Sequence, residues 1–268
     1  MNLGNALGAI AQIIGPLIIV LIIPAGIDSV SDRIPYINGL FITIAVILAA
    51  TGIILPFLKD IKDSELTAAV KKIDKTGTKK SILRNKSLIL GFLAIFIALG
   101  AESGIFGLYR NFIEDPKIGD VSPHTSYILY TVYFALFAIG RLTGSYLQKK
   151  IKPALTLVFC VIAAMVLLIT MIITKGIAAV VAITMLGFFI SIFFPTLYTL
   201  SIEGLGEDTA MASGLLTMGF LGAAIMPVIQ GKIADWLGLG YSFIISIITY
   251  LYILYFSLKK LQRSQIKN

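Results

Sequence analysis

Few residues in this sequence are equipped for chemistry, and one of them stands where it is expensive. Glu102 lies within the apolar run from Ser87 to Phe112, close to its midpoint. If that run crosses a bilayer, the carboxyl sits in mid-hydrocarbon. Such a placement costs about 2.5–3.5 kcal/mol or more and normally turns an acid toward a bundle interior or a watery path. Phe106 and Tyr109 follow at steps of four and three, so they share a helical face with it. A carboxylate that accepts hydroxyls, set beside rings that stack on C–H faces, is a means of holding a saccharide. The same acid, held out of water, is a candidate carrier of a proton. The alternative is an acid hydrogen-bonded to a neighbouring helix, with Phe106 and Tyr109 as packing. Tyr130, Tyr133 and Phe137 form a second stripe that either lines the same cavity or fills the core. Glycines at 100, 104 and 107 flank the acid and favour close helix approach or local unwinding. The single histidine, His124, and the single cysteine, Cys160, leave no His-rich metal cluster, disulfide framework or His-dependent nucleophile, so no cofactor is expected.

The elements that position these residues follow from composition. The chain has 268 residues, 57% hydrophobic and only 13% charged, with mean hydropathy +0.94; soluble domains are about 25% charged. This is an all-α polytopic transmembrane helical bundle. Eight apolar runs near 3–23, 35–57, 87–112, 125–148, 153–174, 176–202, 209–231 and 238–258 are each long enough to span a bilayer. None shows the alternation of a barrel strand.

Charge sets the topology. Nine basic residues fall between Lys59 and Lys86, four at Arg141, Lys149, Lys150 and Lys152, and four in the tail at Lys259, Lys260, Arg263 and Lys267. With eight spans these seventeen share one side, against five elsewhere (Arg33, Arg110, Lys117, Lys175 and Lys232). The richer side is cytoplasmic by the positive-inside rule, so both termini are expected there. The net charge of +8 is thereby explained without nucleic acid. The expected organisation is two spans over 1–58, a cytoplasmic basic linker over 59–86, a six-span half over 87–258 and a tail over 259–268.

The first run carries a polar stripe, Asn2, Asn5 and Gln12, that needs helices or a cavity to face. It has no basic flank, and it echoes the seventh span: a shift of 211 residues sets Gly8 on Gly219, Ala11 on Gly222 and Pro16 on Pro227. Such an echo six spans later matches a parallel six-helix repeat, a known transporter plan. The sequence therefore reads as the latter part of a larger protein.

Longer motifs point to a family. The run Phe193-Phe-Pro-Thr-Leu-Tyr-Thr-Leu-Ser-Ile-Glu-Gly-Leu-Gly206, then Asp208-Thr-Ala-Met-Ala-Ser-Gly-Leu-Leu216 and Gly222-Ala-Ala-Ile-Met-Pro-Val-Ile-Gln-Gly-Lys-Ile-Ala-Asp235, closely resembles the fucose permease and glucose/galactose transporter branch of the major facilitator superfamily. Gly100-Ala-Glu102 is similar to that branch's seventh-helix motif. Ile139-Gly-Arg-Leu-Thr-Gly-Ser145 with Lys149-Lys-Ile-Lys-Pro153 resembles its eighth-helix end, and Asn2-Leu-Gly-Asn-Ala-Leu its fifth-helix start. The resemblance covers helices five to twelve of a twelve-helix plan, and it is weakest in the linker.

It implies hexose uptake coupled to protons by alternating access in the inner membrane, with no enzymatic activity. Asn2 and Asn5 then bind sugar or bond between helices, and Gly8 departs from a position where the family often has Asn. Arg141 is expected to stabilise one conformer near the cytoplasmic face, and Pro195 and Pro227 to bend helices, freeing carbonyls at gating points. Glu203 and Asp235 sit near helix ends, where they reach water. The family's first and fourth helices carry acids tied to coupling, so a separate N-terminal four-helix fragment is an expected partner beside sugar and lipid. The alternatives are a non-transporting sugar-sensing or half-transporter subunit, a membrane enzyme or a drug exporter.

Overall fold

The computed structural model describes residues 30–54 and 84–266. The first expected span, with Asn2, Asn5 and Gln12, and most of the basic linker lie outside the described residues. Those described fall in two compact units, one holding the helix α1 (Val30–Ile54) and the other holding everything from Arg84 onward. In α1 the side chains of Phe41, Ile42, Val46 and Leu48 are exposed, as an apolar helix meeting lipid or other helices would have them.

The described part of the second unit is a series of helices joined by short connections, with no strand among the described residues. It runs α2 (Lys86–Glu114), α3 (Pro123–Leu147), α4 (Pro153–Ile173), α5 (Ile177–Ile190), α6 (Phe193–Ile202), α7 (Thr209–Thr217), α8 (Leu221–Leu237), α9 (Leu239–Ser242) and α10 (Ile244–Ile266). These make six spans long and apolar enough to cross a membrane, at 86–114, 123–147, 153–173, 177–202, 209–237 and 239–262. The sequence places all six within a few residues. Local chemistry sets their ends. Asn85 Oδ1 accepts the N–H groups of Ser87 and Leu88 at 3.0 and 3.3 Å, capping α2. Pro123 and Pro153 stand at the first turns of α3 and α4, where a missing N–H costs nothing. Gly176, at φ 61°, turns the chain between α4 and α5.

The helix α2 is the centre of the unit and packs against α3, α6, α8 and α10. Its approach to α8 is closest, and small residues make it possible. A Cβ on Gly222 would lie 1.8 Å from the carbonyl oxygen of Phe96, and one on Gly100 would lie 2.3 Å from Met226 Cγ. The expectation of close approach thus holds at Gly100 and Gly104. Gly107 differs, with nothing within 4 Å of where its Cβ would stand. The helices α3 and α5 meet in the same way, since a Cβ on Gly140 would lie 2.1 Å from the carbonyl oxygen of Phe188. Without water to drive helices together, such backbone contact is what holds a bundle in lipid.

Gly222→Ala is therefore expected to destabilise the unit by about 1–3 kcal/mol, while Gly214→Ala, with open space at its Cβ, leaves it unchanged or slightly firmer. Denaturation of the two variants in detergent checks this; equal effects would show that the α2–α8 approach is not held by Gly222.

Candidate functional site

Two prolines remove backbone donors from the spans that pack around α2 and α3. Pro195 has no N–H to offer the carbonyl of Ser191, four residues earlier, and the span breaks there between α5 and α6. The Ser191 carbonyl instead accepts from Arg141 Nε at 3.3 Å. Two turns further on, at the C-cap of α3, Gln148 Nε2 donates to Thr196 Oγ1 at 2.7 Å, so α3 and its cap hold both sides of the break. Pro227 repeats the pattern in α8. It leaves the carbonyl of Ala223 without its helical donor, and Ser103 Oγ of α2 donates there at 3.0 Å. Both freed carbonyls are thus satisfied from helices that carry candidate residues, one of them by the residue next to Glu102.

Glu102 itself is partly buried and has no hydrogen bond to another described residue. Arg141 is the cation that acts on it electrostatically, with no direct ion pair between them. The hydroxyls of Tyr133 and Tyr250 also lie within its electrostatic reach. Each of these tyrosines is fully buried, and neither hydroxyl has a hydrogen-bond partner among the described residues. The guanidinium of Arg141 stands 4.8 Å from the centre of the Phe137 ring. The result is a carboxyl group, a cation held by a freed carbonyl, and two phenols without partners among the described residues, contributed by α2, α3 and α10.

The other predicted residues fall into an aromatic cluster between α2 and α3. Phe106 meets Tyr133, Phe134 and Phe137 with ring centres 5.6, 5.2 and 5.6 Å apart. Tyr109 packs against Tyr130 and Tyr133 at 5.2 and 5.1 Å. Tyr109 is fully buried; its hydroxyl shares a 2.6 Å hydrogen bond with Thr184 Oγ1 and donates to the Leu129 carbonyl at 3.2 Å. In this conformation it has no free hydroxyl for a ligand. The Tyr130 hydroxyl donates to the Phe106 carbonyl at 3.2 Å. Asn2 and Asn5 lie outside the described residues. Glu203 and Asp235 are both exposed, each near a helix end.

Sequence reasoning missed Ser103, Ser191, Tyr250 and Gln230. Gln230 is 1% exposed, its Nε2 has no partner, and its Oε1 would lie 1.9 Å from a Cβ on Gly104. A search of the residue four before each proline would have found both freed carbonyls. Nothing local marks Tyr250 or Gln230, because long-range packing brings them in.

A model of the Major Facilitator Superfamily matches residues 1–223. Over 259 residues the chain is 32% identical to a glucose/galactose transporter of Brucella abortus biovar 1 (strain 9-941), covering 95% of this chain and 60% of that protein. Over 147 residues it is 29% identical to an L-fucose-proton symporter of Escherichia coli (strain K12), covering 54% of this chain and 33% of that one. The crystal structure of the Escherichia coli fucose:proton symporter FucP matches with a TM-score of 0.70 at 21% identity, over 95% of this chain and 66% of that one. This last likeness is one of fold. The chain spans 60% of the length of the Brucella relative.

The freed carbonyl makes Arg141 and Pro195 energetically dependent on each other. Arg141→Met leaves the Ser191 carbonyl unpaired; in a Pro195→Ala background the restored N–H takes it. A double-mutant cycle read by denaturation in detergent is expected to give a coupling of about 1–3 kcal/mol. Additivity within about 0.5 kcal/mol contradicts the pairing.

Proposed function

The chain belongs to the major facilitator superfamily, and we propose that it forms the latter part of a secondary transporter that takes up a hexose together with a proton by alternating access. Glu102 is the residue proposed to carry the coupling, and its placement is the observation that carries this reading. A carboxyl in mid-span, without a hydrogen bond among the described residues and within electrostatic reach of two buried phenols, is a costly arrangement for a purely structural acid. It suits a group that takes a proton in one state and a ligand's hydroxyl in another.

Phe106, with Tyr130 and Tyr133, is proposed to offer the ring faces on which a sugar's C–H groups stack. Tyr109 is assigned to the cavity wall rather than to direct contact in the present conformation. Asn2 and Asn5 are proposed as hydrogen-bonding residues from the other side of the cavity. The break before Pro195 and the freed carbonyl at Pro227 are proposed as hinge points, and exchange of the donors at the two carbonyls would give each hinge a second arrangement. The sugars named for the relatives support a hexose, and the fucose symporters are named for a proton as well. The relatives extend beyond the region matched here. We therefore propose that the working assembly includes a further four-helix segment, on this polypeptide or a separate one. The distribution of lysine and arginine supports a plasma-membrane placement with both ends of the chain cytoplasmic.

In proteoliposomes holding the complete assembly, Glu102→Gln is expected to lower proton-driven accumulation of labelled hexose at least about tenfold, since a carrier that cannot titrate at this position loses its coupling. Sugar exchange at equal concentrations persists in the same vesicles. Wild-type accumulation with unchanged dependence on the proton gradient would overturn the assignment. If the wild-type assembly binds hexose but accumulates none, the non-transporting subunit is the better reading.

A further inference from the structure

At the end of the six-span unit remote from Lys86, Lys149, Lys150 and Lys259 there is a cavity of about 330 Å³. Three connections close around it: the turn after α2, the turn between α4 and α5, and the turn between α8 and α9. Its floor is apolar, with Phe112, Met171, Ile172 and Leu239, and its rim carries Asp115, Lys117 and Lys175. The first two turns are joined directly, because Gly176 N–H donates to the Ile118 carbonyl at 2.6 Å. That bond fixes the residues next to both lysines. Neither ammonium has an ion pair, hydrogen bond or ring contact among the described residues. The nearby Arg110 is already engaged by Glu114, Ser126 and the Tyr127 ring. Asp115 Oδ1 accepts the backbone N–H of Lys117 at 2.8 Å, and its second oxygen has no hydrogen bond among the described residues.

The cavity also stands where a membrane surface belongs. Ile173 and Ile177, 74% and 82% exposed, flank the α4–α5 turn, and Trp236, 80% exposed, precedes the α8–α9 turn beside Tyr241 at 58%. Exposed aliphatic side chains at the same end of the bundle as exposed Trp and Tyr are what a lipid–water boundary is made of. Two cations and one carboxylate give the rim a net charge of +1, which a headgroup of net charge −1 complements.

We propose that this cavity binds the headgroup of an anionic phospholipid, of the phosphatidylglycerol type. Lys117 and Lys175 hold the phosphodiester, and Asp115 accepts the headgroup's hydroxyls. The upper part of an acyl chain lies along Met171, Ile172 and Leu237. A bound lipid of this kind ties together the ends of α2, α4 and α8, and so biases how far these spans separate on that face. The site is independent of the sugar reading, because its residues are distinct from Glu102 and its ligand is a membrane component.

Trp236 is the only tryptophan in the chain, and it adjoins Leu237 of the lining, so its fluorescence reports occupancy. The full chain is reconstituted in phosphatidylcholine vesicles carrying increasing fractions of dibrominated phosphatidylglycerol, phosphatidylethanolamine or phosphatidylcholine, the bromines quenching on contact. Half-maximal quenching is expected at a fraction at least about fivefold lower for phosphatidylglycerol than for phosphatidylcholine, from a contribution near 1 kcal/mol per lysine at a lipid surface. Lys117→Gln with Lys175→Gln is expected to bring that ratio to about one, whereas Lys117→Arg with Lys175→Arg keeps it. Both lysines are exposed, so the variants are expected to fold, and the arginine pair controls for that. Equal curves for phosphatidylglycerol and phosphatidylcholine, a preference untouched by the glutamine pair, or equal preference for phosphatidylethanolamine would each overturn the proposal. Loss of the preference on adding soluble glycerol phosphate would show a site for free anions and overturn the lipid assignment.

Discussion

Two backbone carbonyls, at Ser191 and Ala223, are left without helical partners by the prolines four residues after them, and the rest of the six-span unit is arranged to satisfy them. In lipid an unpaired carbonyl costs several kcal/mol, so each break needs a donor from a neighbour. Arg141 reaches the first from α3, and Ser103 reaches the second from α2. These two donors bracket Glu102: one is the next residue in sequence, the other the cation acting on its charge. Backbone geometry and site chemistry are therefore a single problem in this molecule.

Close helix approach makes this possible. Serine is short, and Ser103 reaches α8 only because Gly100 and Gly222 let the two backbones meet. Arg141 likewise reaches Ser191 across the contact that Gly140 allows between α3 and α5. The aromatic cluster of Phe106, Tyr109, Tyr130 and Tyr133 then fills the space between α2 and α3, stiffening the wall against which the acid stands. At the far end the same spans open into a separate, surface-level cavity with free lysines.

How legible all this was depends on the range of the interaction. The six described spans were readable because twenty-residue apolar runs and proline-marked turns are local signals; Pro123 and Pro153 fall within a residue or two of where α3 and α4 were expected to begin. Glu102 was readable because an acid in an apolar run conflicts with its surroundings. The use of the prolines was half readable. Sequence says that a carbonyl is freed, but not that Arg141 and Ser103 take it, since those contacts join residues 50 and 120 positions apart. Tyr250 and Gln230 were invisible for the same reason. Spacing set Glu102, Phe106 and Tyr109 on one helical face, but it did not reveal that Thr184 and Leu129 already occupy the Tyr109 hydroxyl. Gly107 looked like its neighbours Gly100 and Gly104 but faces open space.

The central claim is that protons and hexose move together through the assembly to which this chain belongs. The most direct measurement is the external pH of lightly buffered proteoliposomes when hexose is added with no imposed proton gradient. A coupled carrier predicts alkalinisation that begins with sugar entry, scales with the sugar taken up and disappears with a protonophore. Sugar entry at a measurable rate with no accompanying pH change would contradict it.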